Sequence, residues 1–513
     1  MKRRAFIKNS VILSSLSVLP FSYSWSLVSS DITGLSALEL SMGIKTKQFS
    51  CYEVMQAYLT RIHKYNPVYN AIISMADDQN LFDQAKKADI ALERDEYWGW
   101  MHGIPHAIKD LAPLKGFAYT SGSPIFADRI ADEDGFITSK IRSQGAIFIG
   151  KTNTPEFGLG SQTYNPVFGP TGNAYNPSLT AGGSSGGAAC GLRTEMLPVA
   201  DGGDMMGSLR NPGAFNNVIG FRPSTNVVME EGDEINRLLS TSGPMGRNVT
   251  DLIGLLKTIS LKPEFNEIEP LDFNDVKIGW LKDLDGYLKF EPGILELCEN
   301  SLSKLSSARA KVELAQTNFA PSDLWTCWTT LRHQTRLRML DFYENPLTHN
   351  LLKPELLWEI EQALQLKEKD LKQAELIRKE WYFELDRLFN KYDFLILPTA
   401  QVFPFSSNIH WPKEINGRLM DTYHRWMEVV IMASIGGIPA INLPTILAAW
   451  NISAVCACVT GTSRRIRTRE AALHDMIESY RSRYSRRRVR AVRTKASLDN
   501  CGLHAARTRA TRK

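Results

Sequence analysis

Two serines and a lysine have the types and settings needed to act on a carbonyl. Ser184 lies in Gly182-Gly183-Ser184-Ser185-Gly186-Gly187, Ser208 in Asp204-Met205-Met206-Gly207-Ser208-Leu209-Arg210, and Lys109 closes His106-Ala107-Ile108-Lys109. The serines are 24 residues apart, and Lys109 precedes Ser184 by 75. A serine hydroxyl is a poor nucleophile without a base. A lysine amine can be that base once burial disfavours its ammonium form. The apolar residues Ile104, Ala107 and Ile108 predict a buried strand with Lys109 near its end. A lone lysine is ordinarily a solvated surface residue, and a Gly/Ser run is ordinarily a linker. Two Gly/Ser loops together with a strand-end lysine point instead to a Ser–Ser–Lys relay.

The elements that must hold these residues are legible around them. Ser50-Cys51-Tyr52-Glu53 is a capping box that opens a helix. Val54, Tyr58 and Ile62 share one face of it, and Asn66-Pro67 is expected to end it. A short strand over 71–74 and a helix over 80–94 follow. His102 and His106 are read as structural or solvent-facing. A helix over 137–144, with Gly145 just past its end, leads into a buried strand over 146–151. Residues 152–180 are dense in Gly, Pro, Asn and Thr and lack periodicity, which is more often functional than a linker inside a patterned domain. The run from Ala188 to Leu192 reads as a close-packing helix start after a glycine turn that exposes backbone N–H groups. A strand over 196–200 precedes a second tight loop over 201–208. Beyond the site, helices are expected over 251–260, 291–307 and much of 351–392, with strands over 276–280 and 393–398.

These motifs, in this order, resemble the amidase signature family. Lys109, Ser184 and Ser208 fall on its lysine, its bridging serine and its nucleophile. The likeness spans about 35–445. It takes in Gly150-Lys151-Thr152-Asn153-Thr154-Pro155-Glu156-Phe157-Gly158, the strand over 217–223, Gly243-Pro244-Met245, Leu397-Pro398-Thr399 and Gly437-Ile438-Pro439-Ala440-Ile441-Asn442-Leu443-Pro444. The resemblance implies an α/β fold, a large twisted mixed sheet covered by helices on both sides, with a cis peptide at the bridging serine. It implies an amidohydrolase that forms an acyl-enzyme on Ser208 through a Ser184/Lys109 relay, with no cofactor and no metal. The oxyanion donors it implies are the backbone N–H groups of Met205, Met206, Gly207 and Ser208. Met206 stands where many members have glycine. Asp204 and Arg210 are read as loop-holding residues. Ser185 rivals Ser184, whose 24-residue spacing from Ser208 is favoured. The aromatics over 422–427 could line the acyl pocket or simply pack the core.

Charge is unevenly spread. The 513 residues carry a net +5, but the segment from Ile446 onward holds sixteen Lys or Arg against four Asp or Glu, so the body is mildly acidic. Seven cysteines show no Cys-x-x-Cys pairing and no zinc spacing, and are read as buried or free thiols. Residues 1–26 have the form of an export signal. A charged Lys2-Arg3-Arg4 start of twin-arginine type precedes a short apolar run over 11–21, too short for a stable membrane span. The expected location is therefore exported and periplasmic. The expected domains are the signal over 1–26, the amidase signature domain over 31–445 and an atypical basic tail over 446–513. That tail departs from the family's closing strand and helix, as after a frameshift, and loss of the strand would open a sheet edge. The partner expected is a small-molecule amide and not nucleic acid, with a homodimer left open. Two alternatives remain: a transferase resembling the glutaminase subunit of tRNA-dependent amidotransferases, and an inactive remnant of the family.

Overall fold

In the computed structural model of the chain, the residues described are 32–230, 234–261, 274, 276–307, 309–444 and 455–460. The export signal expected over 1–26 lies outside them. Local rules account for the first helices. Ser36 and Ser50 each cap a helix reciprocally with a glutamate three residues on, Glu39 and Glu53, opening Ala37–Lys45 and Cys51–Tyr69. The second helix does not end at Asn66-Pro67 as expected. Pro67 sits in its last turn, and the helix closes at Asn70 in a left-handed conformation. The Asn66 side chain takes the freed N–H groups of Ala71 and Ile72.

Strand β1 (Ile72–Ile73), β2 (Pro105–Lys109) and β3 (Ile147–Thr152) form a three-stranded sheet in the order β1-β3-β2. β2 and β3 run parallel, with a register shift between His106 and Ala107. The larger sheet has eight strands. These are β4 (Val199–Asp204), β5 (Ile219–Arg222), β6 (Thr241–Gly246), β7 (Lys277–Trp280), β8 (Lys311–Leu314), β9 (Phe394–Pro398), β12 (Ala440–Pro444) and β13 (Val455–Thr460). The short pair β10 (Glu414–Ile415) and β11 (Arg418–Leu419) stands apart. The order is β4-β6-β5-β12-β13-β9-β7-β8. It is antiparallel from β4 to β9 and parallel from β9 to β8. It is thus the mixed sheet expected.

Both faces of that sheet are covered, and the two-residue period of a strand shows it. On β9, Leu395 and Leu397 pack into one apolar cluster with the helices Pro321–Gln334 and Glu368–Lys391. Phe394 and Ile396 pack into another with the helices Val249–Ile259 and Ile294–Ser307. A third cluster joins the N-terminal helices to β2 and β3.

The end of the sheet departs from expectation. Residues 455–460, inside the basic tail, supply β13, which pairs antiparallel with both β12 and β9. Val459 faces Ala440 and Leu395, and Cys456 faces Leu443 and Pro398. The strand expected to be lost is therefore present, and it lies in the sheet's interior. The boundary at 445 is too early for the sheet, because β12 and β9 both need this partner for their backbone groups. The remainder of the tail is outside the described residues.

Candidate active site

The apolar stretch that predicted β2 buries all five of its residues and delivers Lys109 to the sheet's end. The Lys109 side chain is 3 % exposed, and its Nζ lies 2.7 Å from Ser184 Oγ and 2.8 Å from Ser185 Oγ. Burial pushes the amine down from 10.5 to about 7, while Asp201, Asp204 and Glu230 pull it part of the way back. Asp201 also ties β4 to β2. Its carboxylate accepts the Lys109 backbone N–H at 3.3 Å and lies 3.2 Å from Nε2 of His106. His102 and His106 are both buried, so they are structural and not solvent-facing.

The Gly-rich loop is held from outside. The Gly183–Ser184 peptide is cis. Ser161 Oγ donates to the Gly183 carbonyl at 2.7 Å, and Thr163 Oγ1 donates to the Gly182 carbonyl at 2.8 Å while accepting the Gly186 N–H at 3.1 Å. The irregular stretch after β3 is therefore the clamp of this loop. The helix Gly186–Arg193 leads away from it.

The second loop begins later than expected. Residues 201–204 do not form a turn but continue β4, paired with β6 from Val199 to Asp204. Glycine makes this close approach feasible: a Cβ on Gly202 would sit 2.5 Å from Ser185 Oγ. The turn itself is wound around the Asp204 carboxylate. It accepts the N–H groups of Gly207 at 2.8 Å and Leu209 at 3.3 Å, and Nε and Nη2 of Arg210 at 2.9 and 3.0 Å. Arg222 lies 3.4 Å away. Burial alone would push this carboxyl up, but the two guanidiniums and the amide donors outweigh it and hold it well below the usual carboxylate range. Gly207 has φ +80°, and a Cβ there would lie 1.9 Å from Asn211 Oδ1. The loop-holding reading of Asp204 and Arg210 matches this geometry. The same geometry commits the Gly207 N–H to Asp204, which leaves the amides of Met205, Met206 and Ser208 among the four donors that the resemblance implied.

Lys109, Ser184, Ser208, Met205 and Met206 line one cavity of about 140 Å³. The Ser185 N–H donates to the Ser208 carbonyl at 3.2 Å, so the two loops are joined directly. Ser185 is fully buried and does not line the cavity, whereas Ser184 does. Of the stretch 422–427, Met427 alone reaches the lining. Tyr423 and His424 are buried in a polar cluster around Glu359, with the Tyr423 hydroxyl 2.9 Å from Glu359 Oε1. Sequence reasoning missed the role of Ser185 and the arginines Arg332, Arg336 and Arg338 in the wall. The arginines belong to a helical region that carries no motif, so only the fold reveals them.

A strand-end lysine on a cis Gly-Ser loop, in one cavity with a second serine on a capped turn, defines a serine-type hydrolytic site on a mixed α/β fold. The Amidase family model matches residues 53–451. The chain is 28 % identical over 400 residues to an acylamidase of Rhodococcus erythropolis, covering 75 % of this chain and 82 % of that protein. It is 26 % identical to a glutamyl-tRNA(Gln) amidotransferase subunit of Clostridium acetobutylicum over 81 % of this chain and 92 % of that protein. The fold superposes on a bacterial aryl acylamidase with TM-score 0.76 at 23 % identity, covering 84 % and 94 % of the two chains. It superposes on 6-aminohexanoate cyclic dimer hydrolase with TM-score 0.73 at 20 % identity, covering 88 % and 97 %. The chain belongs to the amidase signature family, and as such is an enzyme of the serine amidase type.

Proposed function

We propose that this protein hydrolyses the C–N bond of a carboxylic amide through an acyl-enzyme on Ser208. The observation that carries the reading is the buried Lys109 amine, lowered to about 7, at 2.7 Å from Ser184 Oγ in the cavity that Ser208 lines. A neutral amine has two N–H bonds and one lone pair. Ser185 Oγ, at 2.8 Å, accepts one N–H, which leaves the lone pair for the Ser184 proton. Ser184 in turn takes the proton of Ser208 as Ser208 Oγ attacks the carbonyl carbon. The developing oxyanion is met by the amides of Met205, Met206 and Ser208, donors fixed in advance by a turn that Asp204 holds. The protons return along the relay to the leaving nitrogen. Water, deprotonated by the same path, then releases the acid.

The test is labelling by a fluorophosphonate, located by peptide mass spectrometry, together with aryl-amide hydrolysis. Ser208 should carry the label, and Ser208→Ala should lose both label and turnover by at least ~10³-fold, the scale of losing a nucleophile. Label elsewhere, or turnover that survives in Ser208→Ala, removes the reading. Absence of both label and turnover in the folded wild type would favour the inactive remnant. The similarity to the amidotransferase protein favours a second reading, in which the same relay frees ammonia from glutamine for a partner. Glutamine hydrolysis far exceeding that of aryl and alkyl amides would select it.

A further inference from the structure

Proton transfer leaves the relay with a charge to house. When Lys109 takes the Ser184 proton it becomes an ammonium on a side chain only 3 % exposed. The hydroxyls of Ser184 and Ser185, at 2.7 and 2.8 Å, bring it no opposite charge. A buried cation is costly unless one faces it. The acids placed to act on this amine are Asp201 and Asp204 on β4, together with Glu230. Asp204 is already matched by Arg210 at 2.9 Å and Arg222 at 3.4 Å, and Glu230 acts on Arg222 as well. The other charged groups of the cavity, Arg332, Arg336 and Arg338, are cations and oppose an ammonium. On β3, Lys151 is paired with Asp110 at 3.5 Å.

Asp201 stands apart from these. It is 2 % exposed, and both its oxygens lie 3.3 Å from the Lys109 backbone nitrogen. Among the described residues its one ion-pair neighbour is His106, whose Nε2 lies 3.2 Å away. His106 Nδ1 is buried and meets no hydrogen-bond partner among the described residues. A protonated ring would bury an unsatisfied N–H there. The neutral ring, with its proton on Nε2, donates to Asp201 and leaves the carboxylate its full charge.

We infer, taking the hydrolytic reading as given, that Asp201 is a positioning residue of the relay: it holds the Lys109 backbone and supplies the negative charge that faces the ammonium formed on proton transfer. It never touches the reacting atoms and acts only through Lys109. At an effective dielectric of about 20, a unit charge even ~8 Å away changes a proton affinity about thirtyfold. Against the burial that lowers the amine to about 7, Asp201 is the foremost opposing charge, ahead of Asp204 and Glu230.

The test reads the relay without needing a substrate. The rate at which a fluorophosphonate labels Ser208 would be followed from pH 5 to 9 in the wild type, Asp201→Asn and His106→Asn, each shown to be folded by urea denaturation. The wild-type rate should rise through a midpoint near 7. Without the carboxylate the amine gives up its proton more readily, and the midpoint of Asp201→Asn should fall by about one pH unit. Its rate at high pH should drop at least about fivefold, because a weaker base activates Ser208 less. His106→Asn loosens the same tie between β2 and β4 but keeps the negative charge, so its midpoint should stay within about 0.3 of the wild type. Asp201→Ser decides if Asp201→Asn does not fold. A midpoint unmoved in the Asp201 variants, or one that falls equally in His106→Asn, makes Asp201 a structural tie only. Either result overturns the proposal and leaves the hydrolase standing. A wild type that puts no label on Ser208, or labels it without a midpoint near 7, removes the Lys109 relay and this inference with it.

Discussion

The most informative single change is Lys109→Met, which keeps the length of the side chain and removes its proton. In the folded protein this amine binds its proton at about 7, against 10.5 for an unburied lysine. Between those values the unfolded chain holds the proton and the folded one does not. Stability must therefore rise with pH across the window and be lost as pH falls towards 7. At roughly 1.4 kcal/mol per tenfold change in proton affinity, the whole window is worth about 5 kcal/mol. From pH 7.5 to 9.5 it amounts to about 2.5 kcal/mol. Methionine has no such proton, and groups common to both proteins cancel in the difference. Urea denaturation of the two proteins at several pH values should thus give a free-energy difference that shifts towards wild type by that amount. The two hydrogen bonds to Ser184 and Ser185, about 1 kcal/mol each, offset the curves without changing the slope. Wild-type kcat/KM should rise through an apparent pKa near 7, because the neutral amine is the active form, and the variant should lose it. A stability difference flat from pH 7.5 to 9.5 would mean that Lys109 keeps an ordinary amine, and the base assigned here would be wrong.

Three further changes probe the scaffold. Asp204→Asn leaves Arg210 and Arg222 buried without their carboxylate and should cost about 3–5 kcal/mol in urea denaturation at pH 7. With the carboxyl depressed from 3.8, wild type should keep this stabilisation above about pH 4 and lose it progressively in stronger acid. Gly202→Ala drives a methyl into Ser185 Oγ and Leu209 Cδ2, at 2.5 and 2.7 Å. It should cost ~1–3 kcal/mol and slow fluorophosphonate labelling, since Ser185 touches Lys109. Ala457→Pro removes an N–H from an interior strand and should lower the unfolding free energy by at least ~2 kcal/mol. An unchanged denaturation curve would place β13 outside the stable core.

Local signals were read well where chemistry and folding coincide. Ser50 with Glu53 marked a helix start because a capping box is complete within four residues. The apolar run before Lys109 located both strand and base, because burial of the run is what keeps the amine neutral and able to take a proton. Reasoning from residue type failed where a distant partner decides the conformation. Gly202 and Gly203 look like turn residues, yet pairing with Gly243 and Ser242 holds them extended. Asn66-Pro67 looks like a stop, yet a proline in a last turn forgoes little, and the Asn66 side chain closes the end. The final strand was missed because the composition after Ile446 is dominated by arginines further on. Arg332, Arg336 and Glu359 form one cluster only after two helices are packed, and neither helix shows this in its own sequence.

The position of β13 has a consequence for synthesis. Its two neighbours, β9 and β12, are made earlier in the chain but do not pair with each other; both pair with residues 455–460. Chains emerge from the ribosome N-terminus first, at about 5–20 residues per second. The strands bearing Lys109 and the two serine loops are therefore complete long before the large sheet can close. Through that interval β9 and β12 present unpaired backbone to the cell. The nascent protein must wait, with its chemistry already translated, for a strand drawn from its last described residues.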